Sequence, residues 1–173
     1  GGNQVIGPAD LEAAARAAKV QVQPGDVVLI RTGWIRHWPD QRKYYSVQSG
    51  QPGINAEGAR WVTEQGAFCL GSDNFAVEVV PSPGNTMPVH IHCLVEKGVH
   101  LLEVVNLEEL SRTRTYEFLL VIVPLKIRGG TASPVRPLAL TSGHQQLAPC
   151  RLKASADLFR RKALSLGEYL KRR

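Results

Sequence analysis

The chain alternates between helical and strand-like apolar patterns. Near its start, four apolar residues follow the i, i+3, i+4, i+7 spacing of one helix face: Leu11, Ala14, Ala15 and Ala18. This spacing predicts a helix over residues 8–19. Asn55 can cap a second helix, which Gly66 can end in a left-handed conformation.

Uninterrupted apolar runs around these helices predict strands. The runs cover residues 27–30, 67–70 and 118–123. Helices that alternate with buried strands are typical of an α/β or mixed α+β fold. Residues 34–53 are aromatic, charged and interrupted by glycine and proline, so they predict a long loop or a broken helix.

A well-marked helix is predicted after these elements. Pro88 favours a helix start and Gly98 a helix end, so residues 89–97 are expected to form one short helix. Three of its side chains are expected to share a face: His90, Cys93 and Leu94.

Glu103 lies in the strand predicted next, over residues 99–105, and shares its face with apolar neighbours. Because an unpaired buried carboxylate is costly, Glu103 needs a partner. The sequence leaves four partners open: Arg128, Arg136, a proton, or a metal ion shared with His90. The thirteen-residue spacing of His90 and Glu103 by itself favours a core histidine and a buried ion pair over a metal site.

The net charge of +6 is concentrated at one end of this chain of 173 residues, which is long enough for one sizeable core. Residues 1–150 carry 13 basic and 13 acidic side chains, whereas residues 151–173 carry eight basic and two acidic side chains. In this basic segment, apolar residues recur at helical spacing: Phe159, Ala163, Leu166, Tyr169 and Leu170. We therefore expect one domain over residues 1–140 and a basic amphipathic helical tail over residues 141–173, packed on the body or on a partner chain.

Several classes of partner and compartment are disfavoured. A basic arm without an aromatic stacking platform would bind nucleic acid only weakly and without sequence preference, so a nucleic-acid partner is not expected. No apolar run approaches the ~20 residues that span a bilayer, and no signal or transit peptide is recognisable at the start. Three cysteines without a CxxC spacing predict neither a disulfide framework nor a zinc ribbon. We expect a cytoplasmic protein with no membrane partner.

Several motifs in register carry a resemblance to a known family. They are GDVVLIRTGW (residues 25–34), GSDN (71–74) with Glu78, PVH (88–90), GVHLLE (98–103), NLEEL (106–110), YEF (116–118) and PLKIRGGTASPVRP (124–137). Over residues 8–140 the chain resembles the metal-dependent cyclase family, which includes bacterial kynurenine formamidases and isatin hydrolases. The resemblance implies a swivelling β/β/α fold, a homodimer or higher oligomer, and hydrolysis of an amide or lactam C–N bond with zinc or manganese.

The resemblance also assigns candidate site residues. The second metal-ligand pair of the family maps onto His90 and Glu103, whose imidazole and carboxylate suit zinc or manganese. Six further residues are implied to lie in or beside a pocket for a small-molecule substrate: Asp73, Arg128, Gly129, Gly130, Thr131 and Ser133. The alternative for residues 128–134 is a turn-rich connection after a central strand.

One family motif has no counterpart here. Family members carry an upstream His-x-Gly-Thr-His-x-Asp signature that supplies most metal ligands, and this chain lacks it. Two protein ligands do not make a hydrolytic site, and the residues considered to complete it, without any of them being assigned, are His92, Asp73 and Cys93. We expect an N-terminally truncated hydrolase that is inactive or depends on a missing part; the alternative is a non-catalytic oligomeric scaffold. No catalytic residue is assigned.

Overall fold

The computed structural model describes residues 3–141 and divides into two compact units, Gly1–Tyr116 and Glu117–Arg173. The predicted tail helix and Cys150 lie outside the described residues. The predicted domain boundary between residues 140 and 141 stays a prediction. Within residues 3–141, no helix has the length and apolarity needed to cross a membrane.

Helices and strands alternate along the first unit. Its helices are α1 (Pro8–Ala18), α2 (Gln41–Tyr44), α3 (Ala56–Glu64), α4 (Pro88–His90), which continues as a π-helix (Ile91–Lys97), and α5 (Glu108–Arg112). Two 3-10 turns lie at Trp34–His37 and Pro83–Asn85. Its strands are β1 (Val5–Ile6), β2 (Val27–Ile30), β3 (Gly53–Ile54), β4 (Cys69–Ser72) and β5 (His100–Leu102). The second unit has β6 (Leu119–Val121) and β7 (Leu138–Leu140), which pair antiparallel. The expected mixed α/β class is confirmed.

The parallel sheet determines where polar side chains gather. Strands β2, β4 and β5 form a three-stranded parallel sheet in that order, and β1 pairs in parallel with β3. Because parallel strands end at the same edge, the residues after β2, β4 and β5 lie along one carboxyl edge of the sheet. These residues include Thr32, Asp73 and Glu103.

The helix ends follow the predicted capping chemistry. Asn55 Oδ1 accepts a hydrogen bond from Gly58 N at 2.8 Å, and Gly66 follows α3 with a φ of 80°. At the start of α1, Gly7 N–H donates to Asp10 Oδ2 at 2.9 Å. Both helices pack on a core of buried residues: Leu11, Ile54, Ala59, Val62, Ala67, Leu70, Val77, Val89, Cys93 and Val99.

The structure corrects several predicted boundaries. The strand expected over residues 99–105 spans only β5, because Val104 adopts a φ of 57° that no strand allows. The strand expected over residues 67–70 is shifted to β4, and that over 118–123 is shortened to β6. Strands β1, β3 and β7 were not predicted, because runs of two or three residues carry no periodicity.

The helix after Pro88 spans the predicted residues but is π-helical from Ile91 onward. The wider turn shifts which side chains point inward. Cys93 is buried, but Leu94 is exposed at 48%, so Leu94 does not share the inner face as predicted. Gly98 ends the segment with a φ of 64°, as predicted.

Gly53 allows β3 to pack directly against the segment that carries Glu78. A Cβ at Gly53 would lie 2.3 Å from the backbone carbon of Glu78. We therefore expect Gly53→Ala to lower the free energy of unfolding by about 2–4 kcal/mol, because backbone cannot move aside as a side chain can. The matched control is Gly7→Ala, whose Cβ would meet only side-chain atoms at 3.8 Å or more. Urea denaturation measures both, and equal losses would contradict the packing described here.

Candidate functional site

Strained backbone lies beside a cluster of three side chains, Glu78, His90 and Glu103. Three non-glycine residues of the described chain with positive φ lie beside this cluster: Val77 (60°), Met87 (49°) and Val104 (57°). Val77 precedes Glu78, and Val104 follows Glu103. Met87 begins the helix that carries His90. Positive φ is costly for a β-branched residue and persists where the surrounding structure requires it, which is frequent at functional sites.

Glu78 is held in place by its own backbone neighbours. Its segment runs beside β3, where Ile54 N donates to Val77 O at 3.2 Å and Val79 N donates to Ile54 O at 3.1 Å. Asn74 Nδ2 donates to the carbonyl of Glu78 at 3.0 Å. The side chain of Glu78 is only 2% exposed, so the carboxylate has few positions open to it.

This buried carboxylate binds His90 twice. Glu78 Oε1 accepts a hydrogen bond from the backbone N–H of His90 at 3.2 Å and lies 2.7 Å from its ring Nδ1. Because a carboxylate accepts, Nδ1 carries a proton in this contact. Glu78 Oε2 is buried without a hydrogen-bond partner within residues 3–141. Glu78 thus fixes both the backbone and the ring orientation of His90.

Glu103 faces the other side of the same ring. Its Oε1 lies 3.3 Å from His90 Nε2, so the structure brings the predicted pair together. The side chain of Glu103 is 42% exposed, however, and β5 ends before it. The expectation that Glu103 is buried among apolar side chains is therefore wrong. The chain turns at Val104, which exposes Glu103 at the carboxyl edge of the sheet.

Two carboxylates stabilise the protonated form of His90. Hydrogen bonds to Glu103 and to Glu78 raise the pKa of His90 to about 9, against the smaller opposing effect of burial. At neutral pH the ring is therefore an imidazolium with a carboxylate at each nitrogen.

Asp73 has a structural task at the same sheet edge. Its carboxylate is fully buried and accepts from Thr32 N at 2.7 Å, from Thr32 Oγ1 at 2.6 Å and from Gly33 N at 2.8 Å. The hydroxyl of Tyr44 donates to the Asp73 carbonyl at 2.8 Å. Burial and the nearby Asp73 carboxylate raise the pKa of Tyr44. These contacts fix the turn after β2.

None of the three residues considered as a third metal ligand is placed to bind a metal ion together with His90 and Glu103. His92 lies between Thr63 Oγ1 at 2.9 Å and Glu96 Oε2 at 2.8 Å. Burial raises the pKa of the Cys93 thiol to about 11, which disfavours the thiolate that binds metals. Asp73 is occupied as described above.

A metal centre is not complete within residues 3–141. No group of three His, Cys, Asp or Glu side chains in this part of the chain is arranged to hold a metal ion. Glu78 and Glu103 lie at different nitrogens of His90, so the three do not converge on one point. His90 Nε2 and Glu103 supply two donors, whereas a hydrolytic site takes three or more. The described residues therefore do not fit a hydrolytic metal ion by themselves.

The loop implied to border a pocket lies in the second unit. Gly129 has a φ of 72°, and Gly130 N donates to Ile127 O at 3.2 Å. Ser133 Oγ accepts from Leu125 N at 2.8 Å, which closes the loop on itself. The pocket role of Arg128, Gly129, Gly130, Thr131 and Ser133 stays a prediction.

Glu78 is one of the residues that carry the family resemblance, but sequence reasoning assigned it no role in a site. The signal that drew attention to Glu103, a glutamate within an apolar run, is stronger in residues 76–80, where Glu78 is the only polar side chain. The structure shows that this second glutamate is the buried one.

The chain is similar to known proteins along most of its described length. The family model described as "Putative cyclase" matches residues 1–79. An isatin hydrolase of Roseibium aggregatum is 26% identical over 135 residues, which are 76% of this chain and 51% of the relative. The chain thus spans about half the length of this relative.

Solved structures agree with this similarity. A novel cyclase is 35% identical with a TM-score of 0.72, over 79% of this chain and 46% of that one. Isatin hydrolase A of Ralstonia solanacearum has 23% identity and a TM-score of 0.64, over 80% of this chain and 53% of that one. A potential metal-dependent hydrolase with cyclase activity has 18% identity and a TM-score of 0.52, over 79% of this chain and 58% of that one. The fold is therefore cyclase-like, and the chain is similar in sequence to cyclase-family proteins, an isatin hydrolase among them.

Proposed function

We propose that this chain is one part of a metal-dependent hydrolase that cleaves the C–N bond of an amide or lactam. In this proposal His90 and Glu103 are two of its metal ligands, and the remaining ligands come from polypeptide outside residues 3–141. By itself the chain is inactive. The isatin hydrolase relative supports the lactam as a substrate class, and zinc or manganese is the proposed metal.

The observation that carries the proposal is the arrangement of Glu78, His90 and Glu103. An imidazole whose Nδ1–H is held by a buried carboxylate presents its Nε2 in a fixed direction, which is the usual support of a metal-binding histidine. Nε2 faces the exposed carboxylate of Glu103 across 3.3 Å. A core histidine needs one satisfied partner, and a second carboxylate at the solvent-facing nitrogen is not required for packing.

Each residue has a separate task in this proposal. Glu78 holds the proton on Nδ1, and the Nε2 of His90, once deprotonated, would be the nitrogen that holds a metal ion. Glu103 supplies negative charge at the open side of the site. A divalent metal ion in a complete site would supply Lewis acidity that lowers the pKa of a water molecule.

A non-catalytic oligomeric scaffold is the second candidate. It is favoured by four exposed apolar residues on or directly before the helix that carries His90: Met87, Ile91, Leu94 and Val95. Val95 is 79% exposed, which is unusual for an apolar residue beside a core helix face. Homo-oligomerisation in the cytoplasm, where the buried cysteines Cys69 and Cys93 would stay reduced, is part of both candidates.

Metal titration separates the two candidates. For the full chain, freed of metal by dialysis, we expect Mn²⁺ and Zn²⁺ to bind more weakly than about 10 µM in calorimetry, because two ligands give far less than the ~10–16 kcal/mol of a complete structural zinc site. His90→Ala should abolish this binding. His100→Ala, which removes an exposed histidine of β5, should leave it unchanged.

Activity is tested on the same samples, with isatin as the lactam and either metal ion added. The proposal expects no hydrolysis by the chain alone. Turnover of isatin would show that no missing part is needed. Metal binding that survives His90→Ala would remove His90 as a ligand, and no binding by the wild type would favour the scaffold.

The raised pKa of His90 makes stability depend on pH. The folded state holds the proton more tightly than the unfolded state, so this contribution is complete below pH 6.5 and is lost as the pH rises through about 9. In metal-free buffer, we expect the free energy of unfolding of the wild type to fall by about 1–3 kcal/mol relative to His90→Gln over this range. Urea denaturation at several pH values measures the difference, with His100→Gln as the control. A difference that is flat or rises with pH would contradict the assignment.

A further inference from the structure

A cavity with a cationic lining lies beside the turn that follows β2. Its volume is about 500 Å³, in the range of small-molecule sites. Two kinds of residue line it: basic Arg36, His37 and Lys43, and the neutral Gln4, Trp34 and Ser49 among others. No aspartate or glutamate belongs to this lining, although residues 1–150 as a whole are electrically balanced.

Within residues 3–141, neither Arg36 nor Lys43 has a carboxylate within salt-bridge distance. Arg31, in the same part of the chain, contrasts with them: it forms a bidentate ion pair with Glu108, with both N–O distances at 2.8 Å. Arg36 acts on Glu108 only from a longer distance and contributes least to the lowered pKa of that carboxyl. Two cations around one cavity, neither of them in an ion pair within the described residues, favour an anionic ligand.

His37 behaves as a neutral member of this group. Arg36 Nε–H donates to His37 Nε2 at 3.4 Å, which makes that nitrogen an acceptor. Burial, then Lys43 and Arg36, lower the pKa of His37, while Asp40 opposes them. The two cations therefore lie close enough to affect the same ring.

The wall of the cavity is fixed before any ligand binds. Trp34 is 5% exposed, and its Nε1–H donates to the carbonyl of Tyr44 at 3.1 Å. Gln51 Nε2 donates to the same carbonyl at 2.7 Å. The ring of His37 packs edge-on against Trp34, with centroids 4.7 Å apart. A preformed wall reduces the entropy lost on binding.

We propose that this cavity binds a small organic carboxylate, whose charged group lies between Arg36 and Lys43 and whose apolar body packs towards Trp34. The guanidinium of Arg36 can bind a carboxylate in planar bidentate geometry, and the ammonium of Lys43 adds a second positive charge. A cavity of about 500 Å³ leaves space for an organic body beyond a simple inorganic ion. The proposal needs neither the metal ligands nor the hydrolytic activity proposed above.

Benzoate is the probe that tests this site in the full chain at low salt. We expect saturable binding, followed by tryptophan fluorescence and calorimetry. Arg36→Gln and Lys43→Gln should each raise the Kd about tenfold, since each removes one charge-assisted contact. Arg42→Gln, on α2 but outside the lining, should change the Kd less than about twofold. His90→Ala should bind benzoate as the wild type does, which separates this proposal from the metal site.

Three results would overturn the proposal. One is the absence of saturable benzoate binding by the wild type. Another is an equal loss in Arg42→Gln and Arg36→Gln, which would indicate general charge attraction. The third is inorganic phosphate binding as tightly as benzoate with the same dependence on Arg36, which would identify a simple anion site. Thermal melts followed by circular dichroism confirm that each variant is folded.

Discussion

The buried carboxylate of Glu78 is the contact on which the rest of the site depends. A charge taken out of water is costly unless it is paired and hydrogen-bonded, and Glu78 has its pairing in the ring and backbone N–H of one residue, His90. Its segment is in turn held by β3, where Gly53 allows the two backbones to approach closely. The position of His90 therefore follows from the packing of a strand pair rather than from the helix that carries it.

This constraint explains the shape of the site. His90 presents Nε2 outward, and the turn at Val104 exposes Glu103 where the parallel sheet ends. Strained residues beside each of the three side chains indicate that the arrangement is maintained against a local backbone cost. The result is an imidazole with a carboxylate at each ring nitrogen, one buried and one exposed.

The sequence predicted elements well where periodicity or capping was strong, as at α1, at α3 and at the helix that ends at Gly98. The approach of Glu103 to His90 was one of the alternatives that the sequence left open, because a helix, a glycine turn and a strand return the chain to the same place. The burial of Glu103 was wrong, since alternation does not show where a strand stops. Glu78 received no role because its contacts depend on β3, a two-residue strand that no pattern reveals.

The central claim is that His90 lies between two carboxylates, and the titration of its ring nitrogens tests it most directly. Two-dimensional ¹H–¹⁵N correlation spectra of the metal-free chain report the protonation of each nitrogen. The account predicts a pKa of about 9 for His90, lowered by Glu103→Gln and by Glu78→Gln. A wild-type pKa near the ordinary 6.5, unchanged in both variants, would contradict it.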